Sequence, residues 1–234
     1  MKFEVCDSAD AVAEAAAAFI AAEARSAVAA RGRFTIAVSG GHTPWIMLRA
    51  LAHQDVPWKG VHVVQVDERV APQGDPDRNL THLRESLLGH APLPPVQVHA
   101  MPVEMPDLDA AASRYAATLR ELVGSPAVLD LVHLGLGPDG HTASLVPGDA
   151  VLSVSDRDVA LAGPYQGRQR MTLTFPAIDR ARRILWVVTG AEKTPMLARL
   201  RAGDKSIPAG RVHQVNAIAF VDRAAAAGLG TEPS

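Results

Sequence analysis

A chain of 234 residues, 48% hydrophobic and 21% charged, is long enough to bury a sizeable core, and a formal net charge of -2 gives it no general attraction for nucleic acid. Cys6 is the one cysteine, which excludes an internal disulfide and fits a reducing compartment. No apolar run approaches the roughly 18 residues of a membrane span, and Glu4, Asp7, Asp10 and Glu14 interrupt any export signal at the amino terminus. The expectation is one cytoplasmic domain over residues 1–234, with no nucleic-acid or membrane partner and a monomer as the working assumption.

In chain order, Lys2–Cys6 alternates weakly and reads as an edge strand. Ser8 or Asp10 can cap a long alanine-rich helix that runs to about Arg31 and stops at Gly32. Phe34–Val38 is a buried-strand pattern followed at once by Ser39-Gly40-Gly41-His42-Thr43-Pro44. There, Thr43 suits an N-cap and Pro44 a first helical position, so a helix is expected over Trp45–Ala52. Val61–Val66 is the next strand and ends in Asp67-Glu68-Arg69. The segment Ala71–Asp77 is a loop, Asn79–Leu88 a helix, Ala91–Pro95 a loop and Val96–Met101 a strand.

Pro106-Asp107 opens a helix carrying Ala110–Val123, with Tyr115, Leu119 and Leu122 at helical spacing. A strand from Leu129 follows and breaks at Gly135, Gly137, Pro138 and Gly140, and Asp139–Leu145 reads as a short helix. Val159–Ala162, Met171–Phe175, Ile184–Thr189 and Ala217–Val221 are further strands, and Ala191–Arg201 a helix. Strands alternating with helices indicate an α/β class with a mostly parallel sheet covered on both faces, and Asp149–Arg183 as an antiparallel departure.

Ligands in such folds bind at the carboxyl ends of the strands, and four places there carry suitable chemistry. Ser39-Gly40-Gly41 is either a tight turn or a loop whose N–H groups, with the Ser39 hydroxyl, hold an anion. Asp139 and His141 are either a helix cap and a solvated first-turn residue or an acid–imidazole pair, the imidazole being able to take a proton from water near neutral pH. Asp67 and Arg69 either neutralise each other or bind hydroxyl and anionic groups. Arg170 and Lys193 are surface cations or phosphate ligands. A metal site is disfavoured because the other eight histidines show no ligand spacing and Cys6 is remote in sequence.

Taken together, the ordered segments Ala37–Pro44, Asp67-Glu68-Arg69 with Asn79-Leu80, Gly135–Leu145, Arg170–Thr174 and Gly190–Pro195 resemble the glucosamine-6-phosphate isomerase/6-phosphogluconolactonase family over nearly the whole chain. The resemblance implies a three-layer α/β/α fold with a mostly parallel, Rossmann-like central sheet, and cofactor-independent hydrolysis of 6-phosphoglucono-1,5-lactone in the oxidative pentose phosphate pathway. It makes His141 the general base and Asp139 its assistant. Ser39, Gly40, Gly41, Arg170 and Lys193 would surround the phosphate, and Asp67 and Arg69 would face the sugar-lactone end. The lactonase branch is favoured because Arg69 stands where the deaminase branch has tyrosine, and because Thr142–Leu145 supplies no carboxylate. Val146 departs from the aromatic residue that often precedes Pro147.

Overall fold

The computed structural model describes residues 1–229. Its strands are β1 (Lys2–Cys6), β2 (Phe34–Val38), β3 (Val61–Gln65), β4 (Asp67–Arg69), β5 (Val98–His99), β6 (Leu131–Leu134), β7 (Val159–Tyr165), β8 (Arg168–Leu173), β9 (Arg183–Val188) and β10 (Ala217–Asp222). The helices are α1 (Ala9–Arg31), α2 (His42–Ala52), α3 (Asn79–Leu83), α4 (Leu108–Val123), α5 (Phe175–Asp179), α6 (Thr194–Arg201), α7 (Pro208–Arg211) and α8 (Arg223–Ala226).

Seven strands form one sheet in the order β1-β10-β9-β6-β2-β3-β5, and every pairing in it is parallel. Successive side chains of a strand point to opposite faces, so one strand feeds two cores. Phe34, Ile36 and Val38 of β2 pack with α1 and α2, whereas Ala37 joins Val132, Leu134 and Trp186 on the α4 side. On α1 the buried stripe is Val12, Ala13, Ala16, Ala17, Ile20, Ala21, Ala24 and Ala27, short side chains that allow close approach to the sheet. Ser8 caps this helix by accepting the Ala11 N–H at 3.2 Å, and Gly32 ends it at φ 72°.

β2, β3 and β5 proceed outward in one direction, while β6, β9 and β10 proceed in the other. The order therefore reverses between β2 and β6, and the crevice outside their carboxyl ends is where an open α/β sheet receives a ligand. A second, antiparallel sheet, β4-β8-β7, stands beside this crevice. Its presence agrees with the antiparallel departure expected between Asp149 and Arg183.

Several expected elements change. Asp139–Leu145 is not a helix: Gly140 and Ala143 have φ of 82° and 52°, and an isolated bridge pairs Thr142 with Leu145. Helix α2 starts at His42 rather than Trp45, and Thr43 does not cap it, because the Thr43 hydroxyl shares a 2.6 Å hydrogen bond with that of Thr189. Asp67-Glu68-Arg69 is a strand of its own, with Arg170 inside the partner strand β8 rather than before it. Helix α3 passes into a wider turn at Arg84–Leu88, and the strand expected over Val96–Met101 shrinks to Val98–His99.

Candidate active site

The crevice is a cleft of about 510 Å³ whose walls include Ser39, Gly40, Gly41, Asp67, Arg69, His141, Arg170 and Lys193. Asp139 stands directly behind His141. All nine residues singled out from the sequence thus meet at one place.

At the end of β2, the Ser39 N–H donates to Nδ1 of His133 at 3.3 Å. Burial pushes the His133 imidazole down to about 3, so it is neutral and can accept this bond. The Ser39 hydroxyl is itself buried and finds no hydrogen-bond partner among the described residues. Ser39 lines the cleft with its backbone N–H already engaged by His133 and its hydroxyl without a protein acceptor among the described residues. Further donors belong to the residues that follow. A β-carbon at Gly40 would overlap the Asn79 side chain, and Gly41 at φ 122° precedes α2 without any side-chain cap. The first-turn N–H groups of α2 are thus left for a ligand, with the positive end of the helix dipole behind them. Lys193 lines the same cleft from the short turn Ala191–Lys193, which follows Gly190; the Asp222 carboxylate accepts the Gly190 N–H at 3.1 Å.

The alternation of β4 sends Asp67 and Arg69 toward the cleft and Glu68 away from it. Glu68 is fully buried and accepts from the N–H groups of Arg69, Asn79 and Leu80 at 2.8, 2.8 and 2.9 Å. The buried guanidinium of Arg78 lies 3.1 Å from it. This network ties β4 to the start of α3 and fixes Asn79, whose Nδ2 donates to the Asp67 backbone oxygen and to Oδ1 at 3.0 and 3.2 Å. Burial pushes the Asp67 carboxyl up, against the opposing hydrogen bond from Ser144 at 2.6 Å and the nearby Arg69 and Arg170.

Arg69 and Arg170 are directly paired across β4 and β8. Burial, and then the charge of Arg69, push the Arg170 guanidinium down from its ordinary value. The nearest counter-charge is the Asp67 carboxylate, 4.0 Å from Arg170 Nη1. Two arginines placed opposite each other in a partly desolvated wall can receive an anion.

The loop after β6 turns sharply, with the Gly137 N–H donating to the His141 carbonyl at 2.8 Å. Asp139 Oδ1 is 2.6 Å from His141 Nδ1 and accepts the His141 backbone N–H at 3.1 Å. A carboxylate only accepts, so Nδ1 carries the proton of the neutral ring and the lone pair lies on Nε2. Burial pushes Asp139 up, but the hydrogen bonds from His141 outweigh it and hold the carboxyl below its ordinary value. The imidazole fits because residue 137 is glycine: a β-carbon there would overlap the ring. Among the described residues no group of three or more His, Cys, Asp or Glu side chains converges as a metal site.

A family model described as glucosamine-6-phosphate isomerases/6-phosphogluconolactonase matches residues 7–220. The chain belongs to this family. A 6-phosphogluconolactonase of Mycobacterium tuberculosis is 39% identical over 218 residues, covering 87% of this chain and 88% of that protein. Another, from a Synechocystis species, is 39% identical over 180 residues, 75% of each chain. The crystal structure of 6-phosphogluconolactonase from Thermotoga maritima superposes with a TM-score of 0.86 at 26% identity, covering 95% of this chain and 99% of that one.

In this family member, four residues not assigned a role from the sequence shape the site: Asn79, His133, Ser144 and Tyr165. Tyr165 touches both members of the Asp139–His141 pair. Its signal in the sequence was slight, one of two tyrosines, placed just before Gln166-Gly167. The other three are buried polar residues whose partners come from distant segments.

Proposed function

We propose that this protein hydrolyses 6-phospho-D-glucono-1,5-lactone to 6-phospho-D-gluconate, the second step of the oxidative pentose phosphate pathway, as one domain in the cytoplasm. The observation that carries the reading is the 2.6 Å contact between Asp139 and His141 Nδ1 at the wall of a cleft rich in anion donors. Ser39, Gly40, Gly41, the start of α2, Arg170 and Lys193 hold the phosphate. Asp67 and Arg69 face the sugar-lactone end.

His141 Nε2 takes a proton from water as the oxygen attacks the lactone carbonyl, and the resulting tetrahedral oxyanion is stabilised by nearby donors. Collapse breaks the bond from the carbonyl carbon to the ring oxygen, which receives the proton back from His141. The product acid then ionises. Phosphate binding places the carbonyl for attack without taking part in the bond changes.

A deaminase reading gains nothing from the site. Arg69 occupies the end of β4, and the loop Thr142–Leu145 after His141 carries no carboxylate to assist ring opening of an amino sugar. Freshly generated 6-phosphogluconolactone, followed against an enzyme-free control, should be consumed faster in the presence of the protein, and glucosamine 6-phosphate should release no ammonia. The reverse pattern would refute the lactonase assignment.

A further inference from the structure

Tyr165 ends β7 at the tip of the β7–β8 hairpin. Gln166 and Gly167, at φ 52° and 77°, make the two-residue turn before Arg168, a left-handed pair whose twist suits the flanking strands and fixes where the tip stands. The tip rests on the Asp139–His141 pair. The Tyr165 hydroxyl donates to Asp139 Oδ2 at 3.3 Å and lies 3.5 Å from His141 Nδ1, and the two rings meet edge to face with centroids 5.1 Å apart. Arg170 reaches the same tyrosine: its guanidinium carbon lies 5.1 Å from the ring centroid, and its Nε and Nη2 donate to the Tyr165 carbonyl at 3.4 and 3.3 Å.

Asp139 sits on a loop with its side chain about a third exposed, so one bond to the imidazole would leave it free to swing. His141 occupies Oδ1 through both its ring and its backbone N–H; Tyr165 holds Oδ2. We propose that Tyr165 is a positioning residue that locks the Asp139 carboxylate, and through it the His141 ring, while linking this pair to the anion-binding Arg170. The proposal rests on the reading of His141 as the base. Burial, followed by the neighbouring Asp139 charge, pushes the Tyr165 hydroxyl above its ordinary value, so it remains protonated and able to donate. Tyr165 does not exchange a proton with substrate; it narrows the range of ring orientations from which Nε2 can act.

The test is a double-mutant cycle between Tyr165→Phe and Asp139→Ala, with the His141 Nδ1 proton resonance as a second readout. Phenylalanine keeps the ring under Arg170 and removes only the hydroxyl. Tyr165→Phe should lower kcat about 10-fold, the scale of losing an orienting outer-shell partner, with KM and thermal stability unchanged. In the Asp139→Ala background it should cost nothing further, because the hydroxyl acts through that carboxylate. Wild-type kcat in Tyr165→Phe, or the same loss in both backgrounds, would overturn the proposal. Should Asp139→Ala fall to the spontaneous rate, the resonance decides: a shift in Tyr165→Phe supports the coupling, and an unmoved resonance refutes it. If His141→Ala keeps its turnover, the base reading fails, while the resonance still reports on the Tyr165–Asp139 contact.

Discussion

Asp139 Oδ1 lies 2.6 Å from His141 Nδ1 and also accepts the His141 backbone N–H at 3.1 Å, so one carboxylate oxygen fixes both the ring and the chain that carries it. This geometry sets the tautomer that leaves Nε2 as the acceptor. Asp139→Asn brings an N–H₂ group that competes for the same position and removes the charge that stabilises the imidazolium. We expect kcat to fall about 100- to 10,000-fold with the fold intact, a range typical of general-base catalysis and of its orienting carboxylate. Steady-state kinetics alongside circular dichroism checks it.

Gly137 is required for space rather than for backbone freedom, since its φ is not left-handed and a β-carbon would overlap the His141 ring. Gly137→Ala should displace the imidazole and lower kcat by about 100-fold, the cost of roughly 1 Å of misplacement. Wild-type turnover in this variant would mean that the ring has room to spare.

Lys193 lines the cleft and, as a phosphate ligand, should act on the phosphate alone. Removing one charge-assisted hydrogen bond costs about 1.5–3 kcal/mol, so Lys193→Ala should weaken kcat/KM for the phosphorylated lactone by about 10- to 150-fold. Unphosphorylated gluconolactone should be hydrolysed as by the parent enzyme. Equal losses on both substrates would remove Lys193 from the phosphate site.

His133 makes acid stability measurable. The unfolded chain takes up this proton near the ordinary value of about 6.5, whereas the buried ring does so only at about 3. The unfolded state therefore binds more protons throughout that window, and stability falls as the pH is lowered by about 1.4 kcal/mol per pH unit from this group. His133→Asn keeps an acceptor for the Ser39 N–H but does not titrate. Its unfolding free energy should depend less steeply on pH between 6 and 4, as read from urea melts. An unchanged slope would place the acid sensitivity elsewhere.

Elements with a clear period were legible in the sequence. The apolar run Phe34–Val38, the alanine stripe of α1 and the Gly32 stop all appear in the fold, as do the β2 and β6 glycine turns at the crevice. Segments whose shape depends on distant partners were not. Asp139 resembles a helix cap, yet Ser144 is drawn to Asp67, 77 positions away, and the loop folds back on Gly137. Asp67-Glu68-Arg69 is too short to show a period, and only its pairing with β8 makes it a strand. The partner of the Ser39 N–H was equally hidden, since His133 lies on another strand.

The most direct measurement is turnover of freshly generated 6-phosphogluconolactone by His141→Ala, with spontaneous hydrolysis subtracted and folding verified. The account predicts a loss of about 100- to 10,000-fold in kcat, the contribution of a positioned general base. Turnover near that of the parent enzyme would contradict it.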